Sequence, residues 1–154
     1  SALSSQGDVL AAQGQDAAAE KAFTSALDVW NEIDEPYGAL RAHAGLTLVA
    51  LRQGDEEARR RAGDHVRVIR QRLDENPGWG SGEVRLGLEI LLTAYRAMVE
   101  LGDPDAGLIL QRAHRVLQDR VARLDDAELR QYYRDGYAAH RVLQAEFARR
   151  FGDS

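Results

Sequence analysis

The sequence predicts an all-α protein, a right-handed superhelix of three helical hairpins closed by a C-terminal pair of helices. Two observations support this fold. Gly14, Gly54 and Gly102 each end one helical pattern and precede another, and a recurring helix-turn-helix unit is typical of repeat proteins. No stretch has the alternating pattern and the Val, Ile and Thr content of a strand. We therefore expect no sheet.

The first 74 residues are predicted to form two hairpins, because apolar residues recur there at helical spacing. Asp34, Glu35 and Pro36 supply a capping carboxylate and a proline suited to a first helical turn. Gly54 ends the third helix, and Asp55 can cap the fourth. The expected helices span residues 2–13, 16–33, 36–53 and 56–74.

A glycine-rich loop at residues 76–82 separates these helices from the second half of the chain. In that half, Gly102, Asp103 and Pro104 combine a helix stop, a cap and a proline at the first helical position. The expected helices span residues 83–101, 104–123 and 137–151.

One further, shorter helix is predicted between Asp125 and Gly136. Asp125 is the expected N-cap, with Glu128 three residues later, and Leu124 and Leu129 flank them at the spacing of a hydrophobic staple. Together with the last helix, this segment is expected to cover the final apolar face of the array.

The length of 154 residues fits a single domain, which we divide into three repeats and a cap. The repeats span residues 2–33, 36–74 and 83–123, and the cap spans residues 125–151. Small residues let the two backbones of a hairpin approach closely, while Phe23 and Leu110 fill the space between them. The small residues are Ala19, Ala26, Ala58, Ala106 and Ala113.

The first repeat resembles a tetratricopeptide repeat. Gly7, Gly14, Ala19, Phe23 and Ala26 match that family's pattern of small and large residues in register. The later repeats depart from the pattern, and the turn glycines lie 40 and 48 residues apart, against about 34 in the common repeat. Long repeats of this type resemble arrays in bacterial signalling and transcription regulators, and residues 124–141 are similar to the closing segment of such arrays.

The resemblance implies a non-catalytic scaffold that binds a protein, a peptide or a neighbouring domain in a concave groove. The first helix of each pair would line this groove with its outward positions. These positions are Arg41, Leu48, Arg52, Glu89, Leu92 and Arg96, with Ser4, Asp8 and Glu100 extending the set. Arginines such as Arg41 and Arg96 are suited to bind carboxylates. The alternative is that they are solvated or paired within the chain.

Six arginines make the helix at 56–74 strongly basic. They are Arg59, Arg60, Arg61, Arg67, Arg70 and Arg72. Acidic residues lie among them, and the whole chain has a formal net charge of −5. We expect a solvated face here and no nucleic-acid partner, because phosphate binding requires a concentrated basic surface.

No pattern for catalysis or for a cofactor is present. The sequence lacks cysteine, and its four histidines, His43, His65, His114 and His140, show no metal-ligand spacing. We expect His43 and His65, which fall at packing positions, to be hydrogen-bonded core residues. The loop around Trp79 lacks the lysine of a nucleotide-binding loop, so we expect Trp79 to pack against a hairpin. The sequence therefore predicts no enzyme activity, no cofactor and no metal.

Two alternatives to the scaffold stay open. One is self-association into a homodimer through an uncapped end of the array. The other is an enzyme or a small-ligand sensor that uses a group of aromatic residues with one histidine. That group comprises Trp79, Tyr95, Tyr132, Tyr133 and His140.

Location and origin can also be predicted from the sequence. No stretch reaches the length and apolarity of a membrane span, and the N-terminus lacks a signal-peptide pattern, so we expect no membrane partner and a cytoplasmic location. Lys21 is the only lysine among 20 basic residues, which favours a GC-rich bacterial source. Because the chain starts at Ser1, we expect it to be part of a longer protein.

Overall fold

The structure is a computed structural model, and all regular structure in its described residues is helical. The described residues are 6–8, 10, 14–33, 36–80, 82 and 84–152. The chain divides into two compact units, Ser1–Pro77 and Gly78–Ser154, so the boundary falls within the predicted loop. The prediction of an all-helical chain without strands is thus confirmed for the part that the structure describes.

The first unit contains α1 (Asp16–Ile33), α2 (Pro36–Gln53) and α3 (Glu56–Glu75). Helix α1 packs against α2, and α2 packs against α3. Residues 6–8 and 10 are also helical, whereas the predicted positions Ser4, Asp34 and Glu35 lie outside the described residues. The three predicted helices of this unit are confirmed with their ends displaced by one residue at most.

The second unit contains α4 (Val84–Glu100), α5 (Ala106–Ala122), α6 (Ala127–Asp135) and α7 (Ala138–Phe151). Helix α4 packs against α5, and α7 packs against α4, α5 and α6. The last helix therefore covers both members of the preceding pair, as the sequence predicts for the C-terminal segment.

The three turn glycines share one backbone conformation, and Gly54 and Gly102 follow the ends of α2 and α4 as predicted. Gly14, Gly54 and Gly102 have φ values of +74°, +76° and +74°. This left-handed backbone brings a Cβ too close to the following carbonyl, so a residue with a side chain is disfavoured there. The three sites have open space around them, and glycine is needed for its backbone conformation alone.

Of the predicted caps, Asp55 is confirmed and Asp103 has a different role. Asp55 Oδ1 accepts a hydrogen bond from the backbone N–H of Ala58 at 2.7 Å. Asp103 Oδ1 accepts from the backbone N–H of Asp105 at 2.9 Å, and α5 begins only at Ala106, two residues later than predicted. A short side chain bound to the amide two residues ahead favours a turn over a helix.

The predicted cap at Asp125 is wrong by one residue. Asp126 is the N-cap of α6, and its Oδ1 accepts from the backbone N–H groups of Glu128 and Leu129. Either aspartate can cap a helix chemically, but only Asp126 lies within reach of these two amides. The shift also removes Leu124 and Leu129 from staple register, and Leu129 is 54% exposed.

The ring of Phe23 joins three segments of the first unit. Phe23 is 1% exposed. A Cβ at Gly7 would lie 2.9 Å from the ring, and a Cβ at Gly45 would overlap it. Gly7 belongs to the helical residues 6–8, Phe23 to α1 and Gly45 to α2. The missing side chains of two glycines therefore make room for one aromatic ring.

In the second unit, polar and aromatic contacts attach α7 to its neighbours. The buried Tyr95 of α4 donates its hydroxyl proton to Glu146 Oε2 at 2.9 Å, and Arg149 donates to the same carboxylate at 2.7 Å. His114 of α5 stacks on Phe147, with ring centroids 3.6 Å apart. These contacts fix the position of α7 against both α4 and α5.

We expect Gly54→Ala to destabilise the protein by about 1 kcal/mol, because alanine must adopt a left-handed backbone. The matched control is Gly63→Ala inside α3, where nothing lies within 4 Å of the added Cβ. There alanine should stabilise by about 0.5–1 kcal/mol through its higher helix propensity. Urea unfolding measures both. Equal effects of the two substitutions would contradict the role given to Gly54.

Gly45→Ala is expected to destabilise by about 1–3 kcal/mol, because the new methyl group overlaps the Phe23 ring. In a Phe23→Leu background the same change should be neutral or stabilising, since the overlap is relieved and alanine favours the helix. A double-mutant cycle from urea unfolding gives the coupling. Additive effects would show that the ring and Gly45 are not in contact.

Candidate functional site

Three predicted groove residues of the first unit lie on one exposed stripe of α2. Arg41, Leu48 and Arg52 are seven and four residues apart, a spacing that keeps them on one helix face. Arg41 forms an ion pair with Asp8, and Arg52 Nε lies 3.4 Å from Asp16 Oδ1. Both arginines are therefore paired within the chain. Leu48 is 41% exposed between them.

The predicted groove residues of the second unit, Glu89, Leu92 and Arg96, lie on α4 and have three different environments. The prediction that Leu92 faces a partner is wrong, because Leu92 is 5% exposed. Helix α4 packs against both α5 and α7, so more of its circumference is buried than in a simple hairpin. Glu89 and Arg96 are exposed. The pKa of Glu146 is lowered mainly by its hydrogen bond with Arg149, and the charge of Arg96 lowers it further.

Two arginines of the basic helix α3 form ion pairs with carboxylates of the same helix. Arg60 pairs with Glu57 at 2.6 Å, and Arg67 pairs with Asp64 at 3.1 Å, each one helical turn apart. Exposed pairs of this kind contribute little to stability. They agree with the interpretation of this helix as a solvated face.

His43 and His65 are hydrogen-bonded, as expected from their packing positions, and their partner is each other. Their Nδ1 atoms are 3.0 Å apart, so one ring donates and the other accepts. Burial, followed by the charges of His65 and Arg72, lowers the pKa of His43 to about 4. Burial also lowers the pKa of His65. The neutral forms are favoured because a proton on the accepting nitrogen would break this contact.

Tyr133 and His140, two members of the group predicted for a ligand site, lie together near the end of α6. His140 is fully buried, and its ring centroid is 4.9 Å from those of Tyr133 and Tyr137. Its Nδ1 donates to the carbonyl oxygen of Tyr133 at 2.7 Å, and its buried Nε2 has no hydrogen-bond partner. Such an unsatisfied atom is uncommon in a protein interior.

The other members of that group lie in different surroundings. The hydroxyl of Tyr95 is bound to Glu146, Tyr132 is 61% exposed and Trp79 is buried. The backbone next to Trp79 packs closely, since a Cβ at Gly87 would lie 2.9 Å from the Cα of Gly80. Trp79 is thus buried and the Gly80 backbone lies against α4, whereas packing of the Trp79 side chain against a hairpin stays a prediction.

An open cleft of about 400 Å³ lies within the second unit. Its lining comes from the loop before α4, the first turns of α4, the end of α5, α6 and the residue before α7. The lining residues are Gly82, Val84, Arg85, Leu86, Glu89, Arg120, Tyr133 and Tyr137. Arg85, Arg120 and Tyr137 could not be predicted as neighbours from the sequence, because they are far apart in the chain and fit no local motif.

Cationic and phenolic groups face this cleft. The guanidinium of Arg85 lies 5.0 Å from the centroid of the Tyr137 ring, and Arg120 lines the cleft together with Tyr133. Burial raises the pKa of Tyr133, so this hydroxyl keeps its proton at neutral pH and can donate it. Among the described lining residues, Glu89 contributes a carboxylate.

The described part of the chain contains no group of three or more side chains that could together bind a metal ion. None of the described helices combines the length and the apolar character needed to cross a bilayer.

We expect the unfolding free energy to fall by about 3 kcal/mol between pH 6.5 and pH 4 because of His43. Its pKa is lowered in the folded state, so the unfolded chain binds the proton first. This stability is present above pH 6.5 and is lost as the pH approaches 4. In His43→Gln the loss should be smaller. Urea unfolding across this range compares the proteins, and parallel curves would contradict the assignment.

No family model, no curated protein and no solved structure matches this chain. The candidate functional features therefore rest on contacts within this chain. They are the stripe of Arg41, Leu48 and Arg52 in the first unit and the cleft between Arg85 and Arg120 in the second unit.

Proposed function

We propose that this chain is a non-catalytic interaction module of tetratricopeptide-like construction, a right-handed superhelix that belongs to a larger bacterial regulatory protein. The observation that carries the proposal is the burial of Phe23 against Gly7 and Gly45. One ring on a second helix contacts the first helix of its own hairpin and the first helix of the next. Stacked repeats require this kind of shared packing.

The same packing supports an outward surface along α2. Gly45 lies four residues after Arg41 and three before Leu48 on the same helix face, so the buried Phe23 ring packs against α2 between these two residues. The ion pair between Asp8 and Arg41 joins the helical residues 6–8 to α2 at this face. The surface is thus held rigidly, and a bound peptide would not have to order it.

The chemistry of this surface favours an acidic peptide with one apolar residue. Arg41 and Arg52 pair with carboxylates that are themselves partly exposed, and exposed ion pairs contribute only about 0–1 kcal/mol. A peptide carboxylate can therefore exchange with Asp8 or Asp16 and bind a guanidinium in bidentate fashion. Leu48 supplies apolar contact area between the two charges.

Helix geometry sets the spacing of the peptide. Along α2, Leu48 lies about 10 Å from Arg41 and about 6 Å from Arg52. An extended chain covers these distances in about three and two residues. The preferred peptide therefore has an acidic residue, then two residues of any type, an apolar residue, one residue of any type and a second acidic residue.

A fluorescent peptide with this pattern tests the proposal by anisotropy. We expect saturable binding that weakens with added salt, because exposed charges are screened. Leu48→Asp should weaken binding at least about tenfold, equivalent to about 1.4 kcal/mol, through repulsion of the acidic peptide. The matched control is Val29→Asp on α1, which changes a residue of similar exposure, 43%, in the same unit.

Three results would contradict the proposal. They are equal binding by wild type and Leu48→Asp, equal loss of binding in the Val29→Asp control, and undiminished binding of a peptide with the same composition in scrambled order. Sedimentation velocity on the same samples tests the homodimer alternative, in which Leu48 would contact a second copy of the chain.

A further inference from the structure

The cleft of the second unit shares no residue with the proposed peptide surface and has a different character. Its volume of about 400 Å³ is within the range of pockets that hold small molecules. Three helices, α4, α5 and α6, contribute to it together with the loop before α4 and the residue before α7, so its shape depends on how these helices pack.

The polar groups of the cleft favour an anion. Among the described lining residues, Arg85 and Arg120 contribute two guanidinium groups and Glu89 contributes one carboxylate. Arg120 and Tyr133 both line the cleft, so it offers a guanidinium and a phenol that can both donate. Two adjacent donors of this kind bind the two oxygens of a carboxylate or phosphate group.

The apolar parts of the cleft indicate that the anion is attached to a larger body. Val84 and Leu86 contribute aliphatic surface, and Tyr133 and Tyr137 contribute aromatic surface. Arg85 already lies over the face of the Tyr137 ring. A flat ring of similar size can stack in the same region, because aromatic faces attract both other rings and guanidinium groups.

His140 holds one of the two tyrosines in place. It is fully buried and touches both aromatic rings. The imidazole fixes Tyr133 by its hydrogen bond to the backbone carbonyl of that residue.

We propose that this cleft is a binding site for a small organic anion, an oxyanion group carried on a ring-sized apolar body. Arg120 and the hydroxyl of Tyr133 hold the oxyanion, while Arg85 and Tyr137 hold the ring. The site makes the chain a sensor of a small metabolite in addition to a scaffold for a protein partner.

Four probes on the full chain test the site by isothermal titration and saturation-transfer NMR. Benzoate and phenyl phosphate carry the two kinds of oxyanion on the same ring, benzamidine carries a cation, and inorganic phosphate has no ring. We expect the preferred aryl anion to bind with a Kd of about 1 mM, as befits a ligand of this size. Benzamidine and inorganic phosphate should bind at least tenfold more weakly, and the stronger of the two aryl anions identifies the oxyanion.

Variants locate the binding. Arg120→Gln should weaken binding of the preferred aryl anion at least tenfold. Arg85→Gln, on another helix, should weaken its binding independently. Tyr133→Phe should weaken it several-fold while keeping the ring. The matched control is Arg115→Gln, also exposed on α5 but absent from the lining, which should bind like wild type. Equal binding of benzamidine, no binding of either aryl anion, or unchanged binding in both Arg120→Gln and Arg85→Gln would overturn the proposal.

Discussion

Both units depend on points where two segments of the chain lie very close together because a glycine there has no side chain. In the first unit, the Phe23 ring occupies space that Cβ atoms at Gly7 and Gly45 would fill. In the second, the absence of a Cβ at Gly87 lets the backbone of Gly80 lie against α4. Interiors are packed too densely to absorb an extra methyl group at such points. The positions of these glycines therefore set where the helices meet and which side chains are left at the surface.

Charge has a secondary role that follows from this packing. The arginines of α2 and α3 find carboxylates within the chain, Arg41 with Asp8 and Arg60 with Glu57. Such pairs are weak because both partners remain in contact with water, so they leave the arginines able to exchange partners. Where two arginines instead meet across a cleft beside tyrosine hydroxyls, as Arg85 and Arg120 do, their charge is available to a ligand that also brings apolar surface.

The C-terminal helices do more than cover an apolar face. Helix α7 contacts both α4 and α5, and the Tyr95–Glu146 hydrogen bond and the His114–Phe147 stack fix it there. With α7 in place, the tyrosines at the end of α6 are held over the start of α4. The cleft is a consequence of closing the helical pair with two further helices, and a bare hairpin would not form it.

Local patterns in the sequence were enough to predict the helices after residue 15 to within about two residues at each end, because helix ends depend on local chemistry: the backbone freedom of Gly54 and Gly102, the capping carboxylate of Asp55 and the spacing of apolar residues. The repeat pattern also predicted that Phe23 and His43 are packed residues, and both are buried. Only the tertiary structure decided that Leu92 is buried, that Asp126 and not Asp125 caps α6, and that Arg85, Arg120 and Tyr133 share a cleft. The physical reason is that these properties depend on which helices lie side by side, and a contact between distant residues leaves no signal in the local spacing of one chain.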